Sequence, residues 1–337
     1  MSQMRAFVLN GYGGPERTAL AEVPKPSPRA GELLVRVRAA GLNPVDFKTR
    51  VGMLKVVQRY PLPIVMGNEL SGVVEAVGAG ATRFAAGDRI YARVAKETMG
   101  AFAEYATVRE EHAARMPASL DFPQAAAVPL AALTALQALR DELHIGAGAR
   151  VFIPGGAGGV GTFAIQIAKF LGAHVATTAS PRGEALVRRL GADVVVDYTR
   201  ERFEDRLAGY DCAFDLLGGD TLARLWPVLK PGGRVVSVAG LPEPLTARKD
   251  LGSGFGLAAL FWLASLTTRL RAKRHGCSYR YLFMHPSGAD LEYLASLIDA
   301  KKLEVVVDRS FPLADAARAI AYLESGRAKG KVVLTLG

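Results

Sequence analysis

Two hydrophobic rhythms divide the chain. Over residues 1–125 the apolar positions come in short, turn-bounded runs. Residues 5–9 predict one strand. Residues 32–39 predict another, with Leu33, Val35 and Val37 alternating against Leu34, Arg36 and Arg38, and Pro24, Pro26 and Pro28 punctuate the link between them. A Val-rich, Gly-bounded segment at 72–80 and a Gly87-Asp88 turn leading into 89–93 continue the series, which predicts a compact, partly closed β domain. At 125–139 the composition becomes helical, and a domain boundary is expected just before it. Beyond residue 150 strands and helices alternate. Strands are predicted at 150–153, 175–178, 194–197, 212–216 and 235–239, a helix at 162–171, and a turn at 231–234. Leu171-Gly-Ala-His-Val and Leu190-Gly-Ala-Asp-Val repeat one junction: a helix end, a Gly suited to the left-handed cap, then a strand. Such alternation implies a doubly wound parallel sheet. Further on, 254–266 is an apolar run and 281–284 an edge strand. Residues 291–298 and 314–323 read as helices, 305–307 and 330–335 as strands.

A chain of 337 residues, half of them hydrophobic and 22% charged, fits a two-domain enzyme with a sizeable core. Cys212 and Cys277 have no metal-ligand spacing and argue for a reducing compartment over a disulfide framework. The N-terminus lacks a signal-like apolar region and no run reaches the ~18 apolar residues of a span, so a cytoplasmic protein is expected. The net charge of +10 suits an anionic cofactor or simply a basic surface; no nucleic-acid motif accompanies it and no nucleic-acid partner is expected. The 254–266 run is followed by Arg269, Arg271, Lys273, Arg274 and His275. It reads either as a membrane-surface helix or as a helix packed over the active site or a subunit interface. Its 13 residues, apolar all round, favour the second reading, so no membrane partner is expected. The edge strand makes a homodimer the expected assembly.

The chemistry centres on residues 151–161, Val-Phe-Ile-Pro-Gly-Gly-Ala-Gly-Gly-Val-Gly. Gly156, Gly158 and Gly161 match G-x-G-x-x-G between a strand and a helix. They allow a tight turn, a close approach of backbone to pyrophosphate, and close strand–helix packing, with Gly159 and Val160 among the residues that would meet the pyrophosphate ahead of the helix. An NAD-binding unit carries an acid about 20 residues further on. Here that strand ends in Thr178, Ala179 and Ser180, with Arg182 just after and no carboxylate, which favours NADP(H), because hydroxyls and a guanidinium can hold a 2′-phosphate.

Taken together, Gly41-Leu-Asn-Pro-Val-Asp-Phe-Lys48, Gly67-Asn-Glu-Leu-Ser-Gly72, Gly87-Asp-Arg-Ile-Tyr91, the helix around Thr134, the 156–161 turn and Gly330-Lys-Val-Val333 resemble the medium-chain dehydrogenase/reductase superfamily. Within it they are most similar to the zinc-free quinone oxidoreductase and enone (alkenal/one) reductase branch. The resemblance implies an α/β protein with a GroES-like β-rich catalytic domain at 1–125 and 286–337 and a Rossmann domain at 126–285. The return of the C-terminus to the first domain comes from the resemblance alone. It adds Tyr198 as a 2′-phosphate contact and Thr134 as a residue near the nicotinamide. Ala239, Gly240, Gly330, Lys331 and Val332 would line that end of the cofactor mainly through backbone groups. Where zinc-dependent relatives place ligands this chain has Asn43 and Asn68; amides are poor zinc ligands, and no metal is expected. The implied reaction is NADPH-dependent reduction of the C=C of an α,β-unsaturated carbonyl, or of a quinone. Asn43 is the first candidate to hold the developing oxyanion, with Lys48 and Tyr60 as further donors, while Asp46 holds the local loop or pairs with a cation. Asn68, Phe283, Met284 and the 254–266 run would shape the pocket for a small hydrophobic carbonyl or quinone substrate. The rival expectations are a non-catalytic NADPH-binding, redox-sensing or RNA-binding relative, and a peripheral membrane protein.

Overall fold

In the computed structural model, which describes residues 2–336, the chain folds into two compact units. The first takes in the chain through Leu133 together with everything from Pro286 onward; the second is Thr134–His285. The first crossover thus lies after Leu133 and not after residue 125. The short helix Phe122–Ala126 packs on the strands Glu32–Leu42 and Glu69–Val77, and the Leu130 N–H donates to the Glu69 carboxylate (2.6 Å), so this segment belongs to the β unit.

The first unit is built on a seven-stranded sheet. Its order is Val307–Pro312, Lys331–Thr335, Glu32–Leu42, Glu69–Val77, Arg89–Arg93 and Ala113–Arg115, with Tyr105–Arg109 also pairing to Glu32–Leu42. A smaller sheet joins Thr18–Pro24, Gln3–Leu9 and Ile64–Val65. The long strand Glu32–Leu42 shifts register against its neighbour at Leu34/Val35 and Val37/Ala39; such irregularities bend a strand and curl the sheet around its core. That core includes Leu33, Val35, Val37, Leu70, Ile90 and Phe102, all buried. The last strand runs antiparallel to Glu32–Leu42 with Val332 opposite Leu42. This register sets Lys331 beside the turn that begins at Asn43.

The second unit holds a six-stranded, all-parallel sheet. In space the order is Val194–Asp197, His174–Ala179, Arg150–Ile153, Tyr210–Asp215, Leu229–Ser237 and Ser278–Tyr281, the doubly wound 3-2-1-4-5-6 arrangement. Phe152, Tyr210, Trp226 and Val235 fill its core. The edge strand is Ser278–Tyr281, upstream of the predicted 281–284. Its Arg280 reads as a surface residue in sequence, but the fold buries it among Glu142, Glu243 and Asp250. The predicted 254–266 helix is two helices, Phe255–Ala264 and Leu266–Arg274. In the first unit the late elements are longer or displaced from prediction: Gly288–Asp299, Val307–Pro312 and Ala316–Glu324.

Candidate active site

In the second unit, the strand Arg150–Ile153 runs into the glycine turn and the helix Gly159–Phe170, which starts three residues before the predicted 162. Close packing requires the glycines. A Cβ on Gly156 would lie 2.2 Å from Thr177 Oγ1, and one on Gly161 would lie 2.5 Å from the Gly155 carbonyl oxygen. Gly158 is the N-cap, and the first helical bond is Thr162 N–H to the Gly158 carbonyl. The N–H groups of Gly159, Val160 and Gly161 therefore precede the ladder and remain available to an anion. The turn is pinned from the next strand: Gly155 N–H donates to Thr178 Oγ1 (2.9 Å), Gly156 N–H to Thr177 Oγ1 (3.0 Å), and Thr177 Oγ1 donates to the Ile153 carbonyl (2.6 Å). Thr178, expected at a 2′-phosphate, is only 3% exposed and turns its hydroxyl back to the glycines.

Ser180, Arg182 and Tyr198 lie at one end of the sheet. Ala179 pairs with Asp197, so the residues after each strand emerge side by side. Arg182 and Tyr198 are exposed, and Ser180 opens the helix Pro181–Arg189. The Asp197 carboxylate is turned to its own loop, accepting from the Thr199 N–H and hydroxyl; the hydroxyl bond is the main reason its carboxyl sits below the ordinary value. Two residues that the sequence did not single out stiffen the neighbouring strand ends. Ser237 donates to buried Asp215 (2.6 Å) and accepts from the Ala239 (3.2 Å) and Gly240 (2.8 Å) N–H groups, while Asp215 also accepts from Leu217 and Gly218. Parallel pairing of Asp215 with Ser237 could have pointed to this bracket only once the register was known. Thr134 is buried on the helix Pro129–Leu136. Phe283 and Met284 are half-buried in coil beyond the edge strand, where Phe283 N–H is held by Asp250 (2.9 Å).

The first unit contains a buried, charge-balanced cluster of Asp46, Glu69, Arg93 and Lys331 with Asn43 and Asn68, each 5% exposed or less. Lys331 Nζ donates to Asn43 Oδ1 (2.5 Å), Glu69 Oε1 (2.7 Å) and the Leu42 carbonyl (2.9 Å). Asn43 Nδ2 donates to the same Glu69 oxygen (2.6 Å), and its backbone N–H to Asp46 (2.7 Å). Asn68 Nδ2 donates to the other Asp46 oxygen (2.6 Å), and Arg93 donates to the Asn68 carbonyl (3.1 Å). Burial raises the Asp46 carboxyl to about 6 against these donors, and burial lowers the Arg93 guanidinium.

This arrangement corrects several expectations. Asn43 and Asn68 do not face a pocket with free amides; both are locked in the cluster, and Asn43 retains a single uncommitted N–H. The Lys331 ammonium, to which the sequence assigned no role, is what ties the cluster together. Tyr60 is 8% exposed and donates its proton to the Lys96 carbonyl (2.6 Å), and burial pushes its phenol up to about 12, so it has no proton left for a substrate oxygen. Lys48, on the helix Pro44–Arg50, differs. It is half-buried, its ammonium has no hydrogen-bond partner among the described residues, and burial lowers that ammonium below the ordinary lysine value. Just beyond that helix, Val51, Met53 and Val56 expose apolar surface that the sequence reading had not marked.

Residues 29–118 match the family model described as alcohol dehydrogenase GroES-like domain, and residues 190–334 match that described as zinc-binding dehydrogenase. An NADPH-dependent alkenal/one oxidoreductase of Arabidopsis thaliana is 36% identical, covering 98% of this chain and 79% of its own. The solved quinone oxidoreductase of Coxiella burnetii superposes with a TM-score of 0.87 at 31% identity, covering all of both chains. A mycobacterial protein solved as a complex with NADPH superposes at 0.82, with 28% identity over 99% of this chain and all of its own.

Proposed function

Because this chain belongs to the medium-chain dehydrogenase/reductase superfamily, in the group that holds quinone and alkenal/one oxidoreductases, we propose that it is an NADPH-dependent reductase of activated C=C bonds or quinones that works without zinc. The observation that carries this reading is the cluster around Lys331. Zinc favours thiolate, imidazole or carboxylate in a tetrahedral set. Here two engaged amides stand at the expected positions, and an ammonium already lies between Asn43 and Glu69. Although one matching family model is described as zinc-binding, this donor set does not fit the metal. Without a Lewis acid, alcohol oxidation has no activating group, whereas an enone or quinone needs only a hydride and a hydrogen bond to its oxygen.

The residues present fit the dinucleotide. The free N–H groups of Gly159, Val160 and Gly161 suit its pyrophosphate, and Ser180, Arg182 and Tyr198 suit a 2′-phosphate where no carboxylate opposes it. When bound, NADPH supplies the hydride. The Asp215–Ser237 bracket keeps the 239–240 backbone rigid. Lys48, uncommitted and half-buried, is the donor best suited to meet negative charge on the substrate oxygen, and the exposed Val51, Met53 and Val56 suit a hydrophobic acceptor. The outer edge of Ser278–Tyr281, with no further strand beside it among the described residues, supports a homodimer through strand pairing.

Following loss of reduced-nicotinamide absorbance over a panel of enones and quinones tests the proposal. Turnover with NADPH, retained after chelator treatment, is expected. Tight NADPH binding with no turnover on any acceptor would instead indicate a non-catalytic nucleotide-binding protein.

A further inference from the structure

The helix pair Phe255–Ala264 and Leu266–Arg274 turns one narrow stripe inward. Ala258, Phe261, Ser265 and Ala272 are buried, and Ser265 Oγ donates to the Phe261 carbonyl (2.7 Å) at the break between the helices. The outward side is bare. Phe255 is 82% exposed and Leu263 64%, with Leu260, Trp262 and Leu270 each close to half exposed. An outward helix face in water ordinarily carries charge. Residues 251–268 carry none, and where charge begins it has one sign: Arg269, Arg271, Lys273 and Arg274 follow, with no Asp or Glu anywhere between 251 and 289. The Arg269 guanidinium lies 5.5 Å from the Trp262 ring centre, so the charged and apolar parts meet in one surface.

We propose that this face docks on the surface of an anionic lipid bilayer. Phe255, Trp262 and Leu263 would enter the boundary between headgroups and acyl chains, and Arg271, Lys273 and Arg274 would pair with lipid phosphates. An apolar face holding Trp beside a uniformly basic flank is the composition of an interfacial helix, and each half supplies one of the two signals that stable surface attachment needs. A ten-residue helix is far too short to cross a bilayer, and no helix among the described residues is long and apolar enough to do so. The chain's own fold leaves this face uncovered, which the sequence could not show.

The test is co-sedimentation of the full chain with vesicles of phosphatidylcholine alone or mixed with phosphatidylglycerol, with tryptophan fluorescence read in parallel. Trp226 is 1% exposed and stays silent, so a blue shift reports Trp262. Binding and a blue shift with the anionic vesicles alone, weakened by added salt, are expected. Serine at Phe255, Trp262 and Leu263 together should weaken partitioning by roughly 100-fold. Arg271→Glu with Lys273→Glu and Arg274→Glu should abolish the preference for anionic lipid while leaving the fold intact by circular dichroism. No sedimentation with either vesicle overturns the proposal. So does a serine variant that binds vesicles as the parent does, or one whose only change is from dimer to monomer.

Discussion

Replacing Lys331 by Met tests the buried cluster most directly. The side chain is 2% exposed and its ammonium meets Glu69 at 2.7 Å, Glu69 itself being fully buried. Met keeps most of the volume and removes the charge and three donor bonds. What remains is a buried carboxylate still holding the Asn43 amide and the Leu130 N–H (2.6 Å each) but lacking its cation. Removing one member of such a pair costs about 3–5 kcal/mol, a large share of the about 5–15 kcal/mol by which domains are stable. Glu69→Gln alone should also destabilise, because it leaves the ammonium unmatched. The double variant removes both charges, so it should lose about 2 kcal/mol less than the two single losses added together. Urea unfolding followed by fluorescence on all four proteins measures this. A Lys331→Met loss below about 1 kcal/mol, or strict additivity in the double variant, would refute the reasoning.

Gly156→Ala should lower both stability and NADPH affinity, since its Cβ would sit 2.2 Å from Thr177 Oγ1; overpacking of this kind costs about 1–3 kcal/mol, and unchanged melting and cofactor titration would count against the account of the turn. Arg182→Ala should raise the KM for NADPH by roughly 10-fold or more through loss of a charge-assisted bond, while the KM for NADH stays put; equal effects on both cofactors would remove Arg182 from the 2′-phosphate. Lys48→Met should reduce kcat, and in the parent enzyme kcat should fall on the alkaline side at a pH below the ordinary lysine range, since burial lowers this ammonium and only the charged form donates; an alkaline limb that survives in the variant assigns it elsewhere. Tyr60→Phe should leave kcat within a few-fold of the parent, because the hydroxyl proton already serves the Lys96 carbonyl; a loss near 100-fold would restore it as a donor. Asp46 titrates at about 6 in the fold against an ordinary 3.8, so its share of stability is full below 3.8 and is lost as pH rises through 6. Asp46→Asn should flatten that part of the stability profile, and an unchanged slope would contradict the assignment.

Much of the fold was legible because its signals are local. Alternation at 33–38 marked a strand, the Leu-Gly-Ala repeats marked two helix-to-strand junctions, and the spacing of Gly156, Gly158 and Gly161 marked a turn in which the packing leaves no room for a side chain at Gly156 or Gly161. Element boundaries drifted where tertiary contacts overrode the local pattern. Arg280 can lie buried in a strand because Glu142, Glu243 and Asp250 pair with it, and the segment after residue 125 belongs to the β unit because Glu69 caps its Leu130 N–H.

The roles of individual side chains were less legible. The residue types in Gly41-Leu-Asn-Pro-Val-Asp-Phe-Lys48 were enough to mark a reactive neighbourhood, but not to say which of them are spent on the fold. Asn43, Asn68 and Tyr60 are engaged in buried hydrogen bonds, whereas the Lys48 ammonium has no hydrogen-bond partner among the described residues. By itself the sequence determined the doubly wound sheet, the dinucleotide turn and the missing acid after the second strand, because chain sterics and side-chain period act over a few residues. Tertiary structure alone decided that Lys331 reaches Asn43 and Glu69 from 288 and 262 positions away, and that the chain's own fold leaves one face of the 255–274 helices uncovered. Burial and charge pairing depend on which distant segments the fold brings together, and no local pattern encodes that.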